Sequence, residues 1–428
     1  MNKDSINSSN SQKLMLIPLV LIISLFFLWG MANNLNDILI SQFKKAFQLT
    51  DFQSGLVQSA FYLGYFFFAL PASMVLRKYN YKTGIIIGLL LFSLGAFLFY
   101  PAAQNATYGF FLFALFVIAS GLAFLETAAN PYVTILGSPQ TAAFRLNLAQ
   151  AFNPIGCITG ILVGQYFIFS GVEHDEATLS QMSSSAIEAY YKSEIHAVET
   201  PYLVISTVAL LFSILFALVK FPKIQEQKSG KKDSLISSLS HLWKIKHFKL
   251  AVFTQFFYMG AQVCIWSFMI RYAKFSINGI SDFDAAHYLT FSLIALTVGR
   301  FAGTFFMKYI KPNKLLAIYA IINIVLVFIG ISSPNLIGVW ALVISSFFMS
   351  IMYPTIFSLG LNQLGNETKT ASSILVMAIV GGAILTAVMG FVSDITSISM
   401  AMIVPLVCFV LIALYGLYGY KVKNSIKL

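Results

Sequence analysis

Long apolar runs recur along the whole chain, each near or above the roughly 20 residues that a helix needs to cross a bilayer. Twelve are legible: 16–40, 54–76, 84–103, 108–136, 146–171 and 201–221, then 248–273, 285–308, 314–333, 336–361, 371–393 and 399–420. They are continuous rather than alternating, which argues against a β-barrel. The composition agrees, with 58% hydrophobic and 10% charged residues, where a soluble domain carries about 25% charged. The chain reads as an all-α membrane protein with twelve transmembrane helices.

A net charge of +11 could indicate an anionic partner such as nucleic acid. Its placement indicates topology instead. With the N-terminus in the cytoplasm, Lys44, Lys45, Lys192, Arg271 and Lys274 fall outside, and the other 22 of the 27 basic residues fall inside or at inner helix ends. This positive-inside distribution sets both termini in the cytoplasm and requires no nucleic acid. The polar start, "MNKDSINSSNSQK", reads as a cytoplasmic tail rather than a cleaved signal. Cys157, Cys264 and Cys408 lie in apolar segments without metal spacing and read as core residues.

The longest inner loop, 222–247, joins the linker-like "KIQEQKSGKKDS" to an amphipathic "LISSLSHLWKIKH" and divides the chain six plus six. The expected organisation is a tail (1–15), a six-helix bundle (16–221), this linker, a second six-helix bundle (248–420) and a short tail (421–428). "NPYVTILG" and "YPTIFSLG" place Pro and Gly alike at the cytoplasmic ends of spans four and ten. Two pseudo-symmetric six-helix bundles are the build of major facilitator transporters, whose site lies near the midplane at the repeat interface.

Acids within spans are few: Asp37, Glu126 and Asp394. Asp394, at an outer span end, reads as an interfacial cap. Glu126 is mid-span, where a charge costs about 2.5–3.5 kcal/mol on insertion scales, so it is expected to face a cavity or the bundle interior. Packing through interhelical hydrogen bonds is the alternative. Asp37 sits in "FFLWGMANNLNDILI", where Asn33, Asn36 and Asp37 share a helical face and Trp29 and Asn34 an adjacent strip. An aromatic plane beside amides suits a sugar, which offers C–H faces and hydroxyls. A wet helix terminus is the other reading of the same residues.

Span five opens "RLNLAQAFNPIG", with Asn147, Gln150 and Asn153 about one turn apart. Such a stripe either glues helices or lines a polar path. Pro131 and Pro154 are expected to loosen or bend spans four and five. Gln262 and Trp266 in span seven and Tyr353 in span ten offer further amide, ring and hydroxyl groups. Arg300, in "TVGRFAGTFF", reads as a gate or packing element. There is no P-loop and no H-E-x-x-H, so no metal, cofactor or enzymatic role is expected, and uphill transport would draw on an ion gradient. A membrane acid suits protons; sodium stays open.

"FFLWGMANNLNDILI", "LETAANPYVTILG", "RLNLAQAFN", "GAQVCIWSFMIRYA", "VGRFAGT", "SIMYPTIFSLG" and "VMGFVSD" together resemble the bacterial fucose–galactose–glucose symporter family of the major facilitator superfamily, its L-fucose/proton branch in particular. The resemblance spans essentially all twelve segments and implies the major facilitator fold in an inner membrane. It implies that Asp37 and Glu126 serve proton coupling and sugar recognition. Trp29, Asn34, Gln150, Asn153 and Tyr353 match positions of that family's sugar cavity, and Gln262 joins them from the reading of span seven. Pro154 departs from the small residue expected after "FN". The expected function is proton-coupled monosaccharide import by a protein able to act as a monomer in the lipid bilayer, with L-fucose as leading substrate. Another sugar symporter, or an uncoupled facilitator, is the alternative.

Overall fold

The computed structural model describes residues 18, 20–32, 35, 39, 42–49, 51–136, 138–163, 167, 181–221 and 235–422. Among these residues the regular structure is helical throughout, as apolar segments in lipid demand, because only a helix satisfies every backbone N–H and C=O within one segment. Among the described residues, ten helices are long and apolar enough to span a membrane: Leu56–Lys78, Tyr81–Gln104, Tyr108–Ile135, Ser184–Leu218, Lys246–Ser276, Asp284–Phe306, Pro312–Ser332, Leu336–Gly360, Gly365–Ile395 and Ile398–Gly419. The first expected span appears as the shorter apolar helix Val20–Ala32. The fifth appears as Ala142–Gln150 and Phe152–Val163. The protein is an all-α, multi-span membrane protein.

By packing, the chain divides into two units: residues 1–129 with 155–223, and residues 130–154 with 224–428. The segment 130–154, expected in the first bundle, is thus grouped with the second unit. Its side chains explain this, since Asn147 Nδ2 donates to Thr355 Oγ1 (3.1 Å) and Arg300 Nη1 to the Gln150 carbonyl (3.0 Å).

In the first unit, helices Tyr81–Phe97 and Glu199–Leu218 are tied by reciprocal hydroxyl-to-carbonyl bonds. Ser93 donates to the Ser206 carbonyl (2.9 Å) and Ser206 to that of Ser93 (2.8 Å). At one end Phe99 stacks on Tyr202 with centroids 3.7 Å apart. At the other, Lys82 Nζ donates to the carbonyls of Ala217 and Val219 (2.8 and 2.9 Å), placing a cation at a helix C-terminus. Helix Phe152–Val163 meets Val20–Ala32 through Gly156 and Gly160. A Cβ on Gly156 would collide with the Phe27 carbonyl, and one on Gly160 would approach the Met31 carbonyl to 2.6 Å. This Gly-x-x-x-Gly approach seats the helix carrying Trp29.

Residues 172–200 lie between the fifth and sixth expected spans. The structure has helix Ser184–His196 there, capped by Ser183. Its Glu194 side chain is wholly buried. Lys45 Nζ lies 3.1 Å from Glu194 Oε1, and Gln42 Nε2 donates to Oε2 (2.8 Å) and to the Glu194 carbonyl (2.9 Å). Burial acts to lower the Lys45 pKa, but hydrogen bonds with Tyr190 and Glu194 and the Glu194 charge outweigh it, so the net shift is upward.

The two prolines of spans four and five act differently. Helix Tyr108–Ile135 runs through Pro131 without interruption, as membrane helices tolerate when neighbouring groups compensate. Pro154 accompanies a break: the helix stops at Gln150, Ala151 makes a tight turn to Leu148 (3.2 Å), and a new helix starts at Phe152.

Candidate functional site

Glu126 lies in the middle of Tyr108–Ile135 and is 6% exposed. Tyr65 Oη donates to its Oε1 at 3.0 Å. Tyr65, itself buried, is 61 residues earlier in the sequence, so no local pattern announces the pairing. A phenol suits a carboxyl that changes charge. It donates to a carboxylate oxygen, and its own oxygen can accept from a protonated carboxyl.

Asp37 and Asn34 lie outside the described residues, as do Asn33 and Asn36. Trp29, on the first helix, is buried, with its ring centroid 4.3 Å from that of Phe26 at an interplanar angle of 52°.

In the second unit, Gln150 is 4% exposed and its Nε2 donates to Asn130 Oδ1 (3.0 Å). The bond uses one of the two N–H donors of the amide, so Gln150 can still offer a hydroxyl its second N–H and its Oε1 acceptor. Asn130 is fully buried, and among the described residues its Nδ2 has no hydrogen-bond partner. Sequence reading passed over Asn130, although it sits four residues after Glu126, the helical spacing that signals a shared face. Asn147 is fully buried and bonds Thr355 and the Ala143 carbonyl (2.9 Å), so it acts as helix glue. Asn153 is half-buried at the start of the helix that follows the break.

Tyr353 occupies the corresponding place beside a second break. Helix Leu336–Met349 stops, and Met352–Gly360 begins, with Pro354 as its third residue. The Tyr353 ring stacks on Phe357 (6.1 Å) and tilts against Tyr258 (6.3 Å). Gln262 and Trp266 sit one turn apart on Lys246–Ser276, both half-buried. Trp266 Nε1 donates to Ser346 Oγ (3.1 Å), fixing the indole.

Among the described residues, no group of three or more His, Cys, Asp or Glu side chains could hold a metal ion. A cleft of about 700 Å³ in the first unit, bordered by Gln48, Gln104, Glu188, Tyr191 and Lys192, includes none of the candidate residues.

The first unit thus carries a mid-span carboxyl, and the second carries two proline-associated helix breaks with buried amides. The chain belongs to the Major Facilitator Superfamily, whose family model matches residues 21–387. Over 96% of its length it is 48% identical to the L-fucose-proton symporter of Escherichia coli K12, covering 94% of that protein. It is 40% identical to the glucose/galactose transporter of Brucella abortus biovar 1, with 96% of each chain covered. The crystal structure of the major facilitator transporter FucP in the outward conformation superposes with a TM-score of 0.88 at 48% identity, over 94% of this chain and 99% of that one.

Proposed function

We propose that this protein imports a monosaccharide together with protons by alternating access, and that the sugar is L-fucose. The observation that carries the coupling is Glu126, a carboxyl buried in mid-span and met by a phenol. The 48% identity to an L-fucose-proton symporter over nearly the whole chain supports the substrate. The 40% identity to glucose/galactose transporters favours galactose or glucose as the second reading.

In this mechanism Asp37 takes a proton from the outer side. Sugar then docks with its hydroxyls on Glu126, Gln150 and Asn153, while Trp29 and Tyr353 supply ring faces and Asn34 and Gln262 further amides. The loaded, neutral state closes and reopens inward, whereas an ionised acid in a closing apolar site is penalised. Sugar and proton leave to the cytoplasm. The proton gradient is the energy source, and no cofactor takes part. A single chain in the bacterial inner membrane, with both termini cytoplasmic, is sufficient.

The test is uptake of labelled L-fucose, D-galactose, D-glucose and D-arabinose into proteoliposomes with an imposed inward proton gradient. L-fucose should accumulate above its external concentration, and Asp37→Asn should abolish accumulation while sparing exchange. Full accumulation in Asp37→Asn would refute the role of that acid. Accumulation of galactose or glucose alone would move the specificity to the second reading. Equilibration without accumulation would make the protein a facilitator.

A further inference from the structure

Arg300 lies on helix Asp282–Phe306 and is 4% exposed. Its Nε donates to the Ser350 carbonyl at 2.7 Å and its Nη1 to the Gln150 carbonyl at 3.0 Å. These two carbonyls are special. A proline has no N–H, and its ring crowds the carbonyl four residues earlier. Pro154 therefore releases the carbonyl of Gln150, and Pro354 that of Ser350. Both helices break at the residue so released, at 150–152 and 350–352. Each released oxygen also ends a helical segment, where the partial charge is negative and a cation is favoured. Gly299 lets the arginine come near enough, since a Cβ there would collide with the Phe347 carbonyl.

We propose that Arg300 is a positioning residue for the transported solute. One guanidinium caps both proline-released carbonyls and holds the two helix breaks in a single frame. The frame carries Gln150 and Asn153 on one side and Tyr353 on the other. Asn153 and Tyr353 each directly precede a proline, so the direction of each side chain follows the geometry of its break. Asn147 to Thr355 is a second tie across the same pair of segments. A lysine cannot replace this device, because its ammonium lacks the fixed fork that reaches two acceptors at once. The sugar part of the assignment rests on the function proposed above; the clasp itself does not.

The test uses the full-length protein and needs no ligand in its first arm. Amide hydrogen exchange is followed at 146–157 and 346–357 in the unaltered protein, Arg300→Gln, Arg300→Lys, Pro154→Ala with Pro354→Ala, and the combination of both prolines with Arg300→Gln. Loss of charge-assisted bonds should speed exchange about tenfold or more in both segments of Arg300→Gln. The alanines restore an N–H to each released carbonyl, so Arg300→Gln should have little further effect in that background. Arg300→Lys, the milder change, should relax one segment more than the other.

In the second arm, equilibrium binding of L-fucose should weaken about tenfold in Arg300→Gln and recover in the combined variant. A general packing role would make the effects of arginine and proline substitutions add, which would overturn the clasp. So would unchanged exchange in Arg300→Gln. Faster exchange with unaltered L-fucose affinity would overturn the positioning role. Failure of the unaltered protein to bind any sugar would overturn the functional reading, and the exchange arm tells that failure apart from failure of the clasp.

Discussion

Among its described residues the first unit buries two glutamates, Glu126 and Glu194, at 6% and 1% exposure. Glu194 meets the Lys45 ammonium and the Gln42 amide, and both gain from a carboxylate that stays charged. Glu126 meets the hydroxyl of Tyr65, which can serve a carboxylate or a carboxylic acid. Burial alone therefore does not distinguish the two; in the proposed mechanism Glu126, and not Glu194, carries the proton. Glu194 reads as a structural rivet between the end of the first span and helix Ser184–His196. Glu126 reads as the group proposed to change charge.

The largest expected separation between them is functional. Glu126→Gln should abolish accumulation of sugar while the protein still folds and still exchanges sugar, measured as counterflow against gradient-driven uptake. Gln42→Met should leave coupling intact, because it touches only the rivet. A loss of coupling in Gln42→Met with normal folding would erase the distinction.

The next effect is on stability. Lys45→Met leaves the Glu194 carboxylate buried without its cation. Breaking a buried pair costs about 3–5 kcal/mol, and the 28% exposure of the Lys45 side chain reduces the expected loss to about 2 kcal/mol. Thermal unfolding in detergent should show it as a lower midpoint. Conversely, Tyr65→Phe should leave the midpoint nearly unchanged and alter the pH profile of uptake. An unmoved profile would mean that the phenol does not influence the transported proton.

The smallest effect is a pH dependence of the rivet. The Lys45 pKa is raised in the folded protein above its ordinary value of 10.5. Its contribution is therefore complete below that value and is lost as pH rises through the folded one. The stability gap between the unaltered protein and Lys45→Met should be constant at pH 6–9 and shrink only above about 10.5. A gap that closes near neutrality would assign the stabilisation elsewhere.

Much of this comparison could be read from the sequence, and the unread part has one cause. Glu126 announced itself because an acid in an apolar run is a local anomaly. The apolar runs and the prolines were legible for the same reason. Glu194 lay in an acidic stretch that resembles an ordinary outer loop, and only its pairing with Gln42 and Lys45, about 150 residues away, shows it to be buried. Tyr65 and the carbonyl partners of Arg300 were hidden likewise. Aromatic residues are 15% of the chain, so one tyrosine carries no signal until its partner is known. Pro131 and Pro154 look alike in sequence, yet only the second accompanies a break.

The central claim is that this chain moves protons with a sugar. The most direct measurement is external pH in a weakly buffered suspension of cells expressing the protein, recorded as L-fucose is added. Alkalinisation that disappears in Glu126→Gln and in Asp37→Asn, and persists in Gln42→Met, is the predicted result. Sugar entry without any pH change, in protein shown to be in the membrane, would contradict proton coupling and with it the role assigned to Glu126.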